Sequence, residues 1–333
     1  MRVLLDTNVW SRLIDKGAGE DFYRYAKNAN LDVLIAPATL MELLASPNPE
    51  SRRMRVRVVC RSRWTRLPTE AESEANEVVS EIRRLRPAWL RPKPDLYRLA
   101  HLHELWQNVK WREARAAEPY LIEEATAGMD AYVRRMMILS QREQKRLREG
   151  TDYLTYPTDI SKRLSEPVEV VPDRNPEKRM IALGWRRGTS CQGWRVQLAM
   201  VIDHALFGAG AHPGEPFADW IGIYVDLHKL RMQRRDLGSM LLYEVEPSAM
   251  KRNWLRWAVD FTQPAMRIGS GNPGDNQLSA YLFDADIFIT ADKRFAQILR
   301  ELRPVSPVTF AMPKYLNPSA EDLTHAIEGL TAS

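Results

Sequence analysis

The chain has 333 residues, 44% of them apolar, which is the size and composition of one large or two ordinary globular domains that bury a real core. Its 48 basic and 43 acidic residues leave a net charge of +5, a balance that permits a nucleic-acid partner without requiring one. Two cysteines, Cys60 and Cys191, with no CxxC pair exclude a disulfide scaffold and a cysteine-rich zinc site, and no apolar run reaches the roughly 18 residues of a membrane span. The start of the chain reads directly as a strand rather than a signal peptide, so a reducing, cytoplasmic setting is expected.

Val3-Leu4-Leu5 is a short apolar strand that runs into Asp6-Thr7-Asn8, and Val9, Trp10, Leu13 and Ile14 then recur with a helical period. Leu31 to Ala36 is a second strand, broken by Pro37-Ala38-Thr39 and followed by a helix through Glu42 to Ala45. Strand, helix, strand, helix at this spacing predicts βαβ units on a parallel sheet. After the turn Ser46-Pro47-Asn48-Pro49 comes a basic helix, Glu50 to Cys60, with Arg52, Arg53, Arg55 and Arg57. Trp64 to Leu67 reads as a short strand, and Thr69 with Glu72 marks a helix start whose apolar stripe runs from Ala71 to Leu85.

From about residue 88 to 268 the pattern turns helical and aromatic, with eight of the ten tryptophans between Trp89 and Trp257. Helices are expected at Leu96–Ala116, Tyr120–Arg148, Ser190–Phe207, Phe217–Arg234 and Pro247–Phe261, with loops and a short strand at Val168–Val171 between residues 151 and 188. The α/β pattern then returns: a loop at Gly269–Gly274, a helix from Asp275 to Phe283, a buried strand Ile287-Phe288-Ile289-Thr290, a helix from Asp292, a strand at Val308–Phe310 and a closing helix Pro318–Leu330. A stretch of about 180 residues is too long for a structureless loop. The expected organisation is therefore an α/β domain in two parts, 1–87 and 269–333, interrupted by a helical subdomain over 88–268.

Four carboxylates take matching places in this scheme. Asp6 and Asp292 directly follow apolar strands, Glu42 lies in the first turn of the helix after the second strand, and Asp275 opens a helix after a glycine-rich loop. On a parallel sheet the strand ends and the starts of the following helices share one edge, so all four can converge there. Each also has an ordinary reading: Asp275 and Asp292 suit helix N-caps, and Thr39 with Glu42 matches a capping box. Four clustered acids repel one another, and a divalent cation such as Mg2+ or Mn2+ is the simplest compensation. Asp286 is a reserve ligand. His101, His103, the Asp203-His204 pair and Asp226 with His228 are weaker candidates on helical segments.

The ordered set Leu5-Asp6-Thr7-Asn8, Pro37 to Glu42, Gly274-Asp275 and Thr290-Ala291-Asp292-Lys293-Arg294-Phe295 resembles the PIN-domain nuclease family, closest to its VapC-like toxin ribonucleases. The resemblance covers about residues 1–87 and 269–333, and the helical insertion departs from the compact members. It implies a PIN-like central parallel sheet flanked by helices, with Asp6, Glu42, Asp275 and Asp292 as catalytic, metal-holding acids and Asn8 and Thr290 as polar supports. The implied activity is a Mg2+- or Mn2+-dependent endonuclease acting on RNA, of toxin or defence type, with DNA still open as a substrate. An antitoxin or regulatory protein and a second copy of the chain are the partners it suggests. Arg52, Arg53, Arg55, Arg57, Lys293 and Arg294 are the expected phosphate contacts, with a solvated helix face as the ordinary reading. The alternative is a catalytically inactive PIN-like module that binds nucleic acid or protein. A nucleotide-binding reading has no GxGxxG or Walker A sequence behind it.

Overall fold

The computed structural model describes residues 1–128, 138, 164–165, 167–168, 180–208, 216–263 and 272–332. In chain order the first elements are β1 (Arg2–Leu5), α1 (Thr7–Asp15), α2 (Gly19–Asn28), β2 (Asp32–Ile35), α3 (Pro37–Leu44), α4 (Pro49–Val59), β3 (Thr65–Arg66) and α5 (Glu70–Leu85). Helix α6 (Leu96–Glu104) passes through a π-helical turn, Leu105–Val109, into α7 (Lys110–Ala116). Then come β4 (Pro167–Val168), β5 (Cys191–Gln192), α8 (Gly193–Phe207), α9 (Pro216–Tyr224), α10 (Leu227–Met232), α11 (Arg234–Tyr243) and α12 (Lys251–Thr262). The chain closes with α13 (Asn272–Ser279), β6 (Ile287–Thr290), α14 (Lys293–Leu302), β7 (Met312–Tyr315) and α15 (Leu323–Ala332). None of the described helices is long and apolar enough to cross a membrane. The basic runs at Arg134-Arg135 and Arg142–Arg148, most of the expected helix 120–148 and residues 269–271 lie outside the described residues.

Two compact units result: Met1–Thr69, His103–Thr155 and Val259–Ser333 form one, Glu70–Leu102 and Tyr156–Ala258 the other. These limits differ from those expected at residues 87 and 268. Helix α5, grouped by sequence with the first strands, belongs to the second unit because its apolar stripe packs against α9.

The first unit is built on a five-stranded sheet of order β3-β2-β1-β6-β7, parallel at every pairing. Strands β1 and β6 are direct neighbours, in the register Val3 with Ile287, Leu4 with Phe288 and Leu5 with Ile289. Their side chains are buried on both faces, as parallel strands covered by helices require. On one face Val3, Leu5, Val33, Ile35, Ile287 and Ile289 join α1 through Val9, Trp10 and Leu13. On the other, Phe288 meets Phe295 of α14 edge-on with ring centroids 5.6 Å apart.

Three expectations are corrected here. The last strand is Met312–Tyr315 rather than Val308–Phe310. Pro313 argues against a strand in sequence, but β7 is an edge strand, where a missing N–H is tolerated. The closing helix starts at Leu323 rather than Pro318, where Asp322 accepts from the His325 N–H at 2.9 Å. Glu42 sits in the second turn of α3, not its first, because the helix already begins at Pro37.

In the second unit α8 packs on α11 and α5 on α9. Gly238 of α11 lies against the backbone of Leu183, so close that a Cβ there would come within 1.7 Å of the Leu183 carbonyl oxygen. Polar anchors are ion pairs: Glu74 with Arg256 at 2.7 Å, and Arg86 forked between Asp236 and Glu244 at 2.9 Å each.

Trp10 keeps α1 on the sheet. It is fully buried, with Phe22 and Trp64 centroids at 5.6 and 5.8 Å. Trp10→Ala is expected to cost about 3–5 kcal/mol, read as a lowered denaturant midpoint; a loss under about 1 kcal/mol would show that this cluster does not hold the helix.

Candidate functional site

Because every pairing in the sheet is parallel, β1, β2 and β6 all end on one edge, and α1, α3 and α14 start there. Asp6 follows β1 at once, its N–H donating to the Ile289 carbonyl at 2.9 Å, so the backbone of Asp6 is still tied to β6. Although it occupies the N-cap position of α1, its carboxylate makes no capping bond. Instead Asp6 Oδ2 accepts from Thr290 Oγ1 at 2.5 Å and from Asn8 Nδ2 at 2.7 Å. Asn8 Oδ1 in turn accepts from the Ala291 N–H at 3.0 Å, and Thr290 Oγ1 from the Asp292 N–H at 2.9 Å. The supporting places expected for Asn8 and Thr290 are thus occupied by a closed polar network between the ends of β1 and β6.

Asp292 does cap its helix: Oδ1 accepts from the N–H groups of Arg294 and Phe295 at 2.7 and 3.0 Å. Its other oxygen, Asp6 Oδ1 and Asp275 Oδ1 have no hydrogen bond among the described residues. The capping box expected of Thr39 and Glu42 is not formed. Ala36 is at the N-cap position, and Thr39 Oγ1 is buried without a partner. Glu42 is left to the site edge. Gly274, in the first turn of α13, lies so near that a Cβ there would stand 3.4 Å from Glu42 Oε2. The next residue is Asp275, whose Oδ2 takes a long bond from Gln263 Nε2 at 3.4 Å.

The electrostatics show that the four acids share one environment. Burial raises the Asp6 carboxyl from 3.8 to about 7; the hydrogen bond from Thr290 pulls it down, and the charges of Glu42 and Asp292 push it up. Asp275 is raised well above the usual carboxylate range by burial, then by Asp6, Asp292 and Glu42. Burial also raises Glu42; the Thr7 side chain beside it pulls it back, although Thr7 Oγ1 makes no hydrogen bond of normal geometry. Among the described residues, no basic side chain contributes to lowering Asp6, Glu42 or Asp275. Among the described residues, no three His, Cys, Asp or Glu side chains form a ready-made ligand cage.

The other expected residues are distributed differently. Lys293 and Arg294 are exposed in the first turn of α14, beside Asp292 and at the acidic edge. Arg52 donates to the Ser46 carbonyl at 2.7 Å, and Arg55 grips Asp15 at 2.7 Å. Asp15 ends α1, so this pair lies one helix length, about 13 Å, from the end that carries Asp6. Arg53 and Arg57 are exposed on the same helix as Arg55. Asp286 is not at the site: it precedes β6, on the opposite sheet edge, and accepts from the Arg2 N–H at 2.7 Å. Asp203 is paired with Arg234, and Asp226 caps α10. Sequence reasoning missed Gln263, which carries no motif.

No family model, curated protein or solved structure matches this chain.

Asp6 has a measurable signature. Its folded value lies above the unfolded one, so stability is fully present below about pH 4 and falls as pH rises towards about 7. Removing the charge relieves a penalty on the order of 2–4 kcal/mol above that range. In EDTA, Asp6→Asn is expected to melt higher than wild type at pH 8 and close to it at pH 4.5. An equal difference at both values would show that the Asp6 charge is not destabilising.

Proposed function

We propose that the acidic edge is the active site of a metal-dependent phosphodiesterase, an endonuclease of PIN type acting on RNA. The observation that carries this reading is the convergence of Asp6, Glu42, Asp275 and Asp292 at one sheet edge, with Asp6, Glu42 and Asp275 raised by burial and no basic side chain among the described residues paired with any of the four. A fold has no structural use for such a group, since uncompensated buried carboxylates destabilise it. The donor set is all oxygen, which suits Mg2+ or Mn2+, and Mg2+ held through one or two carboxylates and its own waters needs no ready-made cage.

Asp6, Glu42, Asp275 and Asp292 would hold the cation. A divalent ion so bound supplies polarisation of the phosphodiester and a water of lowered pKa. Thr290 and Asn8 hold the Asp6 carboxylate in one orientation and leave its Oδ1 open. The backbone N–H groups of α14 orient Asp292 by binding its Oδ1. Lys293 and Arg294 stand exposed where they can meet the phosphates of a strand entering the edge. Asp6 must shed its proton to bind a cation, so Mn2+ affinity rises between pH 6 and 8.

A toxin or defence-type role, an inhibitory partner and a homodimer belong to the same reading and rest on the sequence resemblance alone. The second reading, an inactive binding module, is favoured by the missing three-ligand cage among the described residues.

Purified protein is expected to cut RNA with Mg2+ or Mn2+ and to stop in EDTA. Asp6→Asn and Asp275→Asn should each lower the rate at least about a hundredfold, about 3 kcal/mol of transition-state stabilisation. Full activity in both variants would remove the acidic edge from the chemistry. Mn2+ binding without cleavage of RNA or DNA would favour the binding module.

A further inference from the structure

A pocket of about 430 Å³ in the first unit is lined by Arg66, Glu104, Asn108, Arg112 and Arg115. Glu104, Asn108, Arg112 and Arg115 recur at intervals of four, four and three along the continuous run of α6, the π-helical turn and α7, so they form one stripe. Arg66 completes the lining from the end of β3. Trp111 anchors the stripe: it is buried, its Nε1 donates to the Trp106 carbonyl at 2.8 Å, and the Arg66 guanidinium lies 4.9 Å from its ring centroid. Arg66 also donates to the Gln107 carbonyl, so its planar fork is held in place.

Three guanidiniums therefore face one carboxylate, and that carboxylate is already engaged: Asn108 Nδ2 donates to Glu104 Oε2 at 2.6 Å. Arg112 and Arg115 are exposed and make no ion pair among the described residues. Burial, with the charge of Arg115 adding to it, holds Arg66 below the usual guanidinium value. An ordinary solvated helix face pairs its arginines with acids three or four residues away. This stripe leaves them converging on an open pocket. Planar forks in such a place suit a phosphate group.

The position adds the second half of the argument. Arg66 is paired with Ile35 at the end of β2, and β2 is paired with β1, so Arg66 stands on the same sheet edge as Asp6. Two strand spacings put the two strand ends on the order of 10 Å apart.

We infer that the Arg66–Arg112–Arg115 pocket is a phosphate-binding subsite for a nucleic-acid strand, seating one backbone phosphate while a nearby phosphodiester of that strand lies at the acidic edge. The inference rests on the nuclease reading for the direction of the strand. The basic helix α4 expected from sequence has a lesser part, since Arg52 and Arg55 are committed to Ser46 and Asp15.

The test is fluorescence anisotropy of a labelled short oligouridylate with the full chain in EDTA, measured across a salt series. Wild type should bind, and R112Q/R115Q should bind about tenfold or more weakly, with the slope of log K against log salt reduced by about one. Both positions are exposed, so the double variant should melt like wild type; R24Q/K27Q, two exposed positions on α2, serves as the matched surface control and should bind like wild type. No oligouridylate binding by wild type, or an unchanged salt slope in R112Q/R115Q, would overturn the subsite. So would equal loss in R24Q/K27Q, which would mean general charge attraction. Equal affinity for uridine monophosphate and the oligomer would overturn the strand assignment, leaving a free-phosphate site. The acid variants separate the two ideas: full cleavage in both Asp6→Asn and Asp275→Asn removes the acidic edge from the chemistry, while the loss of binding in R112Q/R115Q still stands for the subsite.

Discussion

The bond from Thr290 Oγ1 to Asp6 Oδ2 joins residues 284 positions apart and depends on the direct pairing of β1 with β6. Everything at the acidic edge follows from that junction. Parallel pairing brings both strand ends to the same side, and the closing polar network with Asn8, Ala291 and Asp292 then sets where the Asp6 carboxylate points. A buried carboxylate is costly unless hydrogen-bonded, so these bonds offset part of what burial takes away. They do not offset all of it. Asp6 remains raised to about 7, chiefly by burial, with the charges of Glu42 and Asp292 adding to it and no basic side chain among the described residues answering them.

The absence of a basic partner among the described residues separates this cluster from the ion-paired groups of the chain. In the second unit Glu74 is matched by Arg256, and Asp236 and Glu244 share Arg86. Arg55 is matched by Asp15 at the far end of α1. The fold neutralises these charges, and among the described residues it leaves two places of opposite sign without ion pairs: the four acids, and the three guanidiniums of the pocket that Arg66 lines from the same sheet edge. A polyanion that also brings cations is a ligand that would relieve both.

Much of the fold was legible in the sequence, for physical reasons that differ by element. Strands β1, β2 and β6 are short, wholly apolar or nearly so, and end in turn chemistry, which is how a doubly covered parallel strand reads. Strand β7 was misplaced because Pro313 hides it, and only its edge position makes that proline acceptable. Helix α5 was assigned to the wrong neighbours because a stripe such as Val78, Val79 and Ile82 shows that a face is buried but not against what. The capping readings split the same way. Asp292 caps its helix as its position suggested; Asp6, in the same kind of position, does not.

By itself the sequence determined which residues carry carboxylates at strand ends, because strand, acid and helix are local patterns set by a few neighbouring side chains. The sequence resemblance pointed to Asn8 and Thr290, and the structure bonds both to Asp6. Only the tertiary structure decided that Asp286 lies on the wrong edge, that Gly274 lies beside Glu42, and that Gln263 reaches Asp275. It alone put Arg66 with Arg112 and Arg115, and committed Arg55 to Asp15. Such matters turn on strand order and on helix faces that meet across long separations, and no local spacing encodes them.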